Sequence, residues 1–140
     1  EDIGLANPNA LLLATNCFRA VEVTGMPEAR IILSETAIYL ATSPKSNSAY
    51  LAIDKALDIV EKTGDLPVPL NIRNAPTKLL KDLGYGKSYK YAHNYEDNFI
   101  QEEFLPEDIK GTILYTPQGN KRERDIDEVI KKRWRDLYNY

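Results

Sequence analysis

In 140 residues the chain has one cysteine, one histidine, one methionine and one tryptophan. A lone Cys17 leaves no internal disulfide to form and fits a reducing compartment. A lone His93 excludes histidine clusters, and no CxxC, HxxxH or carboxylate–His spacing of a metal site occurs. No apolar run approaches the roughly 20 residues that span a bilayer. The opening Glu1-Asp2 carries no basic signal-peptide start, so the simple reading is a cytosolic protein with no membrane partner. Strong charge of one sign is missing too. The net charge is −3, mildly acidic before residue 71 and close to neutral after it. That balance does not announce a nucleic-acid protein.

What is present is ordinary globular material. Hydrophobic residues make up 43% and charged residues 28% of the chain, the proportions of a folded soluble domain. The length suits one domain, long enough to bury most of its apolar surface.

Proline and glycine punctuate a run of helices. Asn7-Pro8 starts the first as cap and first position, and Gly25 ends it. Met26-Pro27 starts the second, which runs to about Thr42 before Pro44. Between Ile31 and Thr42, eight of twelve residues are apolar, a wider arc than one neighbour covers. A third helix starts near Ser46 or Asn47 and ends at Thr63, before Gly64. Short turns between such helices predict antiparallel neighbours, an up-down bundle over about residues 5–64. Asp65 to Ala75 is a strap, with Pro67 and Pro69 excluding helix. Thr112 to Tyr115 is β-prone and precedes a Pro117-Gln118-Gly119 turn, which leaves room for a small β-hairpin. The last helix is read from about Asn120 to Tyr138, its apolar face surrounded by basic residues that include Arg133 and Arg135. Its acids, Glu123 among them, are read as a solvated, ion-paired face.

Asn71 to Tyr95 stands apart. Ala75-Pro76 opens a short helix with Leu79, Leu80 and Leu83 on one face and Gly84 as C-cap. Beyond it Tyr89, Tyr91, His93 and Tyr95 alternate as the side chains of an extended segment do, a face expected to pack inward. Arg73, Lys78, Lys81, Lys87 and Lys90 make the stretch basic. With Tyr89 and Tyr91 they are the candidate contacts for DNA or a protein partner, since stacked bases and lysine-paired phosphates are how single-strand grooves work.

Catalytic patterns fail on inspection. Gly86-Lys87-Ser88 resembles the end of a phosphate-binding loop, but the required earlier glycine is Lys81. Cys17 lies on an apolar stripe, where a thiol is inert. Adjacent acid pairs such as Glu102-Glu103 do not face one another. No catalytic residue, cofactor ligand or metal ligand is assigned.

The stretch RNAPTKLLKDLGYGKSYKYAH, with PKSN at Pro44–Asn47 and FLPEDIKG at Phe104–Gly111, resembles the C-terminal region of the RarA/MgsA family. Its eukaryotic relatives are the Werner-helicase-interacting proteins. These are AAA+ ATPases of the clamp-loader clade, linked to stalled replication forks and recombination repair, and the resemblance covers essentially the whole chain. It implies a mostly α fold, a clamp-loader-collar-like helical bundle with an irregular C-terminal half. It further implies a single oligomerisation domain over 1–140, the tail of a longer protein whose ATP and Mg sites lie in an ATPase module outside this chain. The implied partners are other copies of itself in a homotetramer, with single-strand-binding protein and DNA as further ones, in the bacterial cytosol or nucleoid. Ile31, Leu33 and Ile38 on the wide apolar arc are the candidate oligomer interface. The competing function is a nucleic-acid-binding module using 71–95.

Overall fold

Where proline and glycine fall, the helices stop. In the computed structural model, which describes residues 1–134 and 136–140, α1 spans Asn9–Thr24, α2 Ala29–Thr42, α3 Ser48–Thr63, α4 Lys78–Asp82 and α5 Lys121–Trp134. Arg135, read from sequence as part of the basic surround of the last helix, lies outside the described residues. Gly25 closes α1 at φ 71°, and Ser43 turns extended before Pro44 to close α2. The mostly helical class holds. Among the described residues no strand forms, so the room for a hairpin at 112–119 is not used. Cα proximity divides the chain into two units, Glu1–Ala56 with Leu114–Val129, and Leu57–Ile113 with Ile130–Tyr140.

In the first unit α1 and α2 pack on each other through small residues. Ala10 and Cys17 on α1, and Ala29 and Thr36 on α2, are buried. Each pair is spaced seven residues apart, two turns along one face. A seam of small side chains leaves the long ones pointing elsewhere. Leu11, Leu12, Phe18, Ile31, Leu33 and Ile38 are all exposed. The expectation that most apolar surface is buried is therefore overturned. Among the described residues, the start of α3 makes no comparable contact with α1 or α2 within this unit. Tyr50, Leu51 and Ile53 on it stay exposed.

The chain before α1 is pinned to the α2–α3 turn. Ser46 N donates to Asp2 O at 2.8 Å, and Asn7 donates to Tyr39 Oη and Ser43 Oγ at 3.0 Å each. Gly4 sits at φ +47°, where a Cβ would lie 2.6 Å from Ser46 O. Backbone cannot yield as a flexible side chain can. Gly4→Ala is expected to cost about 1–3 kcal/mol through strain and displacement of this contact, read as a lower urea midpoint with unchanged slope.

A buried acid anchors α5 in the same unit. Asn120 caps the helix, accepting from Glu123 N at 3.0 Å, and its amide donates back to Glu123 Oε2. This is a reciprocal variant of the capping box. Glu123 is fully buried. It accepts from Tyr115 Oη at 2.9 Å, and beside it lie the buried hydroxyls of Ser46 and Ser48, which lower its pKa and the first of which donates to the second at 3.0 Å. The sequence reading of Glu123 as a solvated surface acid is corrected. Charge alternation hid the fact that this acid stands third in its helix, opposite a serine-rich turn.

The second unit is built on aromatic edges. Trp134 meets Phe99 at 5.0 Å and 89°, Tyr138 at 5.7 Å and Phe104 at 6.4 Å between ring centroids. Tyr138 Oη donates to Glu103 Oε1 at 2.6 Å, and Leu105 N and Gly111 N each donate to that carboxylate at 2.9 Å. Burial pushes the Glu103 carboxyl up, but the Tyr138 hydroxyl and these backbone donors outweigh it and hold it below its ordinary value. The last helix ends at Trp134, short of the Tyr138 expected.

Candidate functional site

Two surfaces carry the candidate residues, one in each unit. The first follows the strap and α4. Thr77, rather than the Ala75-Pro76 pair, caps α4, its hydroxyl accepting from Leu80 N at 3.3 Å. At the other end Gly84 stands at φ +85°. Gly84 N donates to Lys81 O at 2.9 Å and Tyr85 N to Leu80 O at 3.0 Å, the paired bonds of a Schellman cap. Glycine is needed there because the cap requires a left-handed residue.

This cap turns the chain back on the strap. Gly86 N donates to Leu70 O at 2.7 Å. The result is a recess of about 360 Å³ that brings Arg73 and Tyr89 together with Asn71, Asn74 and Gly86. Arg73 is held from within. Its Nε donates to Val68 O, a second guanidinium nitrogen donates to Tyr85 Oη at 3.2 Å, and the group lies 5.0 Å from the Tyr85 ring centroid. Lys78 and Lys81 on α4, and Lys87 and Lys90 beyond it, are exposed. Gly86-Lys87-Ser88 is a turn that follows α4 and does not lead directly into an α-helix.

The alternating tyrosine segment is not extended. Residues 92–94 and 96–98 are 3-10 turns closed by local bonds such as Asn94 N to Tyr91 O at 3.0 Å. Ser88, Asp97 and Asn98 all have positive φ. Tyr89 and Tyr91 are not packed inward either, being 60% and 54% exposed. Tyr91 instead touches His93, ring centroids 5.0 Å apart, and His93 Nδ1 lies 3.2 Å from Asn98 Oδ1. A side chain so open contributes little to folding. Tyr91→Ala is therefore expected to change stability by less than about 1 kcal/mol, where a packed tyrosine would lose several. A denaturation curve shifted by more than that would show a hidden packing role.

The second surface is the outer face of α2. Ile31 and Ile38, each 62% exposed, line one shallow groove with Arg30, Ser34 and Glu35, of about 670 Å³. Leu33 is exposed as well but does not line this groove. Sequence reasoning reads Leu11 and Phe18 as a second apolar stripe on α1 but does not name them as interface residues, and the structure leaves them 75% and 74% exposed.

Among the described residues no helix is long and apolar enough to cross a membrane. The family model described as MgsA AAA+ ATPase C terminal matches residues 1–134. The chain is similar to Replication-associated recombination protein A of Coxiella burnetii, 42% identical over 132 residues that cover 94% of this chain and 30% of that protein. The Bacillus subtilis protein of the same name is 43% identical over 135 residues, 94% of this chain and 32% of its own. ATPase WRNIP1 of Dictyostelium discoideum is 44% identical over 116 residues, 82% of this chain and 13% of its own. The chain thus spans less than a third of the length of these relatives.

Proposed function

The chain belongs to the MgsA AAA+ ATPase C-terminal family, and from that premise we propose that it is the non-catalytic assembly module of an ATPase acting in replication-fork maintenance and recombination. ATP binding and hydrolysis, with the Mg ion they use, are assigned to the part of the relatives that this chain does not match. The observation that carries the reading is the exposed apolar side chains of α1 and α2. Leu11, Phe18, Ile31 and Ile38 are exposed there, while the buried apolar residues are the small Ala6, Ala10, Cys17 and Ala29. Exposed apolar side chains of this kind mark an interface, and covering them stabilises by roughly 25 cal/mol per Å².

The module closes a homo-oligomer. The number four is taken from the family resemblance. Single-strand-binding protein and DNA are the partners to which the assembly presents its remaining surfaces, in the bacterial cytosol. The experiment is light scattering coupled to size exclusion on the wild-type chain and on Ile38→Glu. The wild type is expected to run as an oligomer at tens of micromolar, and Ile38→Glu as a helical monomer by circular dichroism. A folded wild-type monomer at that concentration would sink the reading.

A second reading rests on a different observation. Tyr89 and Tyr91 are exposed beside Lys87 and Lys90, and the Arg73 recess opens next to them. That arrangement suits stacking and phosphate contact with single-stranded nucleic acid. Salt-dependent anisotropy of a labelled oligonucleotide, weakened by Tyr89→Ala and Lys90→Ala, would favour it.

A further inference from the structure

Arg73 is an arginine without an acid. It is half-buried, and its guanidinium is held by Val68 O and Tyr85 Oη over the Tyr85 ring. Among the described residues it makes no ion pair. The acids beside the strap are already taken. Glu102 accepts from the Asn71 amide at 3.0 Å, and Glu107 pairs with Lys110 at 3.4 Å. Glu103 accepts from Tyr138 Oη, Leu105 N and Gly111 N. The remaining guanidinium N–H donors of Arg73 have no protein acceptor among the described residues.

The recess that Arg73 lines with Tyr89 contains no acid. Gly86 gives it a stretch of wall without a side chain. Asn74 brings an amide that makes no hydrogen bond within the described residues. At about 360 Å³ the recess stands near the small end of ligand sites, which run from about 300 to 1,000 Å³. That is room for one nucleotide-sized group, not for a strand laid along it.

We propose that this recess holds the terminal phosphate of a single-stranded nucleic acid, with Arg73 as its fork and Tyr89 as the platform for the end base. The proposal rests on the second reading above and names which part of the strand the site selects. A phosphomonoester carries roughly −1.5 to −2 charges near pH 7 and offers three strong acceptor oxygens. An internal phosphodiester carries a single charge and continues in both directions. An arginine already fixed by a ring and two hydrogen bonds can grip the terminal group bidentately, with little left to order. The lysines have the other task. Lys87 and Lys90 are exposed and meet internal phosphates as mobile point charges. A surface that only tracked the backbone would need no recessed arginine.

The test is anisotropy of a DNA strand labelled at an internal base. It is prepared with a 5′-phosphate, with a 3′-phosphate, or with hydroxyls at both ends. One phosphorylated form is expected to bind about tenfold more tightly than the hydroxyl form, the effect of added hydrogen bonds to a charged group. Asn74→Asp places an acid in the recess at an exposed residue and is expected to erase that preference. Arg73→Gln is expected to erase it as well, and circular dichroism checks that the variant stays folded. Lys87→Ala, outside the recess, is expected to weaken all three forms alike. Equimolar inorganic phosphate is expected not to compete; if it does, the ligand is free phosphate and the strand end is wrong. If strands bind but their ends make no difference, or the preference survives Asn74→Asp, the terminal-phosphate site is wrong and the strand-binding reading stands. If no form binds at low salt, both fall together.

Discussion

Glu123→Ala is expected to lower stability by about 3 kcal/mol, because it removes the fully buried acceptor on which the surrounding donors converge. Tyr115 Oη, the Asn120 amide and the hydroxyls of Ser46 and Ser48 all converge on that carboxylate. Glu123→Gln keeps the volume but aims a donor at donors, so a comparable loss is expected. The acid limb should change too. Burial pushes the Glu123 carboxyl up, but the Ser46 and Ser48 hydroxyls, the Asn120 amide and the Tyr115 hydroxyl outweigh it and hold it at about 2. In the unfolded chain it titrates near 4.3. A folded value below the unfolded one means that the contribution is complete above the unfolded pKa and is lost as pH falls towards the folded one. The difference in stability between wild type and Glu123→Ala should therefore be full at pH 7 and shrink from about pH 5 down to about pH 2. Urea titrations at several pH values measure it. A difference that stays constant across that window would show that the carboxylate charge is not what the network holds.

Trp134→Ala is the second large effect, at about 3 kcal/mol. Its indole is the shared edge partner of Phe99, Phe104 and Tyr138. Such edge-to-face pairs add to the area they bury. Arg133 lies 5.0 Å from the Phe99 ring centroid, so the cluster also seats a cation. Trp134→Phe should retain part of the stability. Thermal melts followed by circular dichroism read both variants, and a loss under 1 kcal/mol for alanine would mean that the aromatic edges do not hold the second unit.

The helices were legible because their ends are chemical. Gly25, Pro44, Gly64 and Gly84 each mark a stop that the structure keeps within two residues. The breadth of the apolar arc on α2 was equally legible, and Ile31, Leu33 and Ile38 are exposed on that helix. The tyrosine segment misled because alternation specifies a strand only when another strand is there to pair with. Here Gly84, Gly86 and Ser88 at positive φ turn the chain before the alternation begins, and 3-10 bonds satisfy the backbone locally. Glu123 misled for the opposite reason. Its meaning lay at one position, three after Asn120, and a survey of charge along the helix face averaged it away.

The single cysteine and the single tryptophan fall in different units, Cys17 in the first and Trp134 in the second. Each is therefore a native reporter that needs no label. Indole fluorescence follows the aromatic cluster, while the rate at which a thiol reagent reaches Cys17 follows the opening of the α1–α2 seam. When cleavage or modification is slow beside reclosing, that rate reports the free energy of opening. Titrating denaturant against both signals would tell whether the two units open as one cooperative body or in turn. Coincident midpoints mean that a change at Glu123 is felt at Trp134; separated ones mean that each unit keeps its own stability.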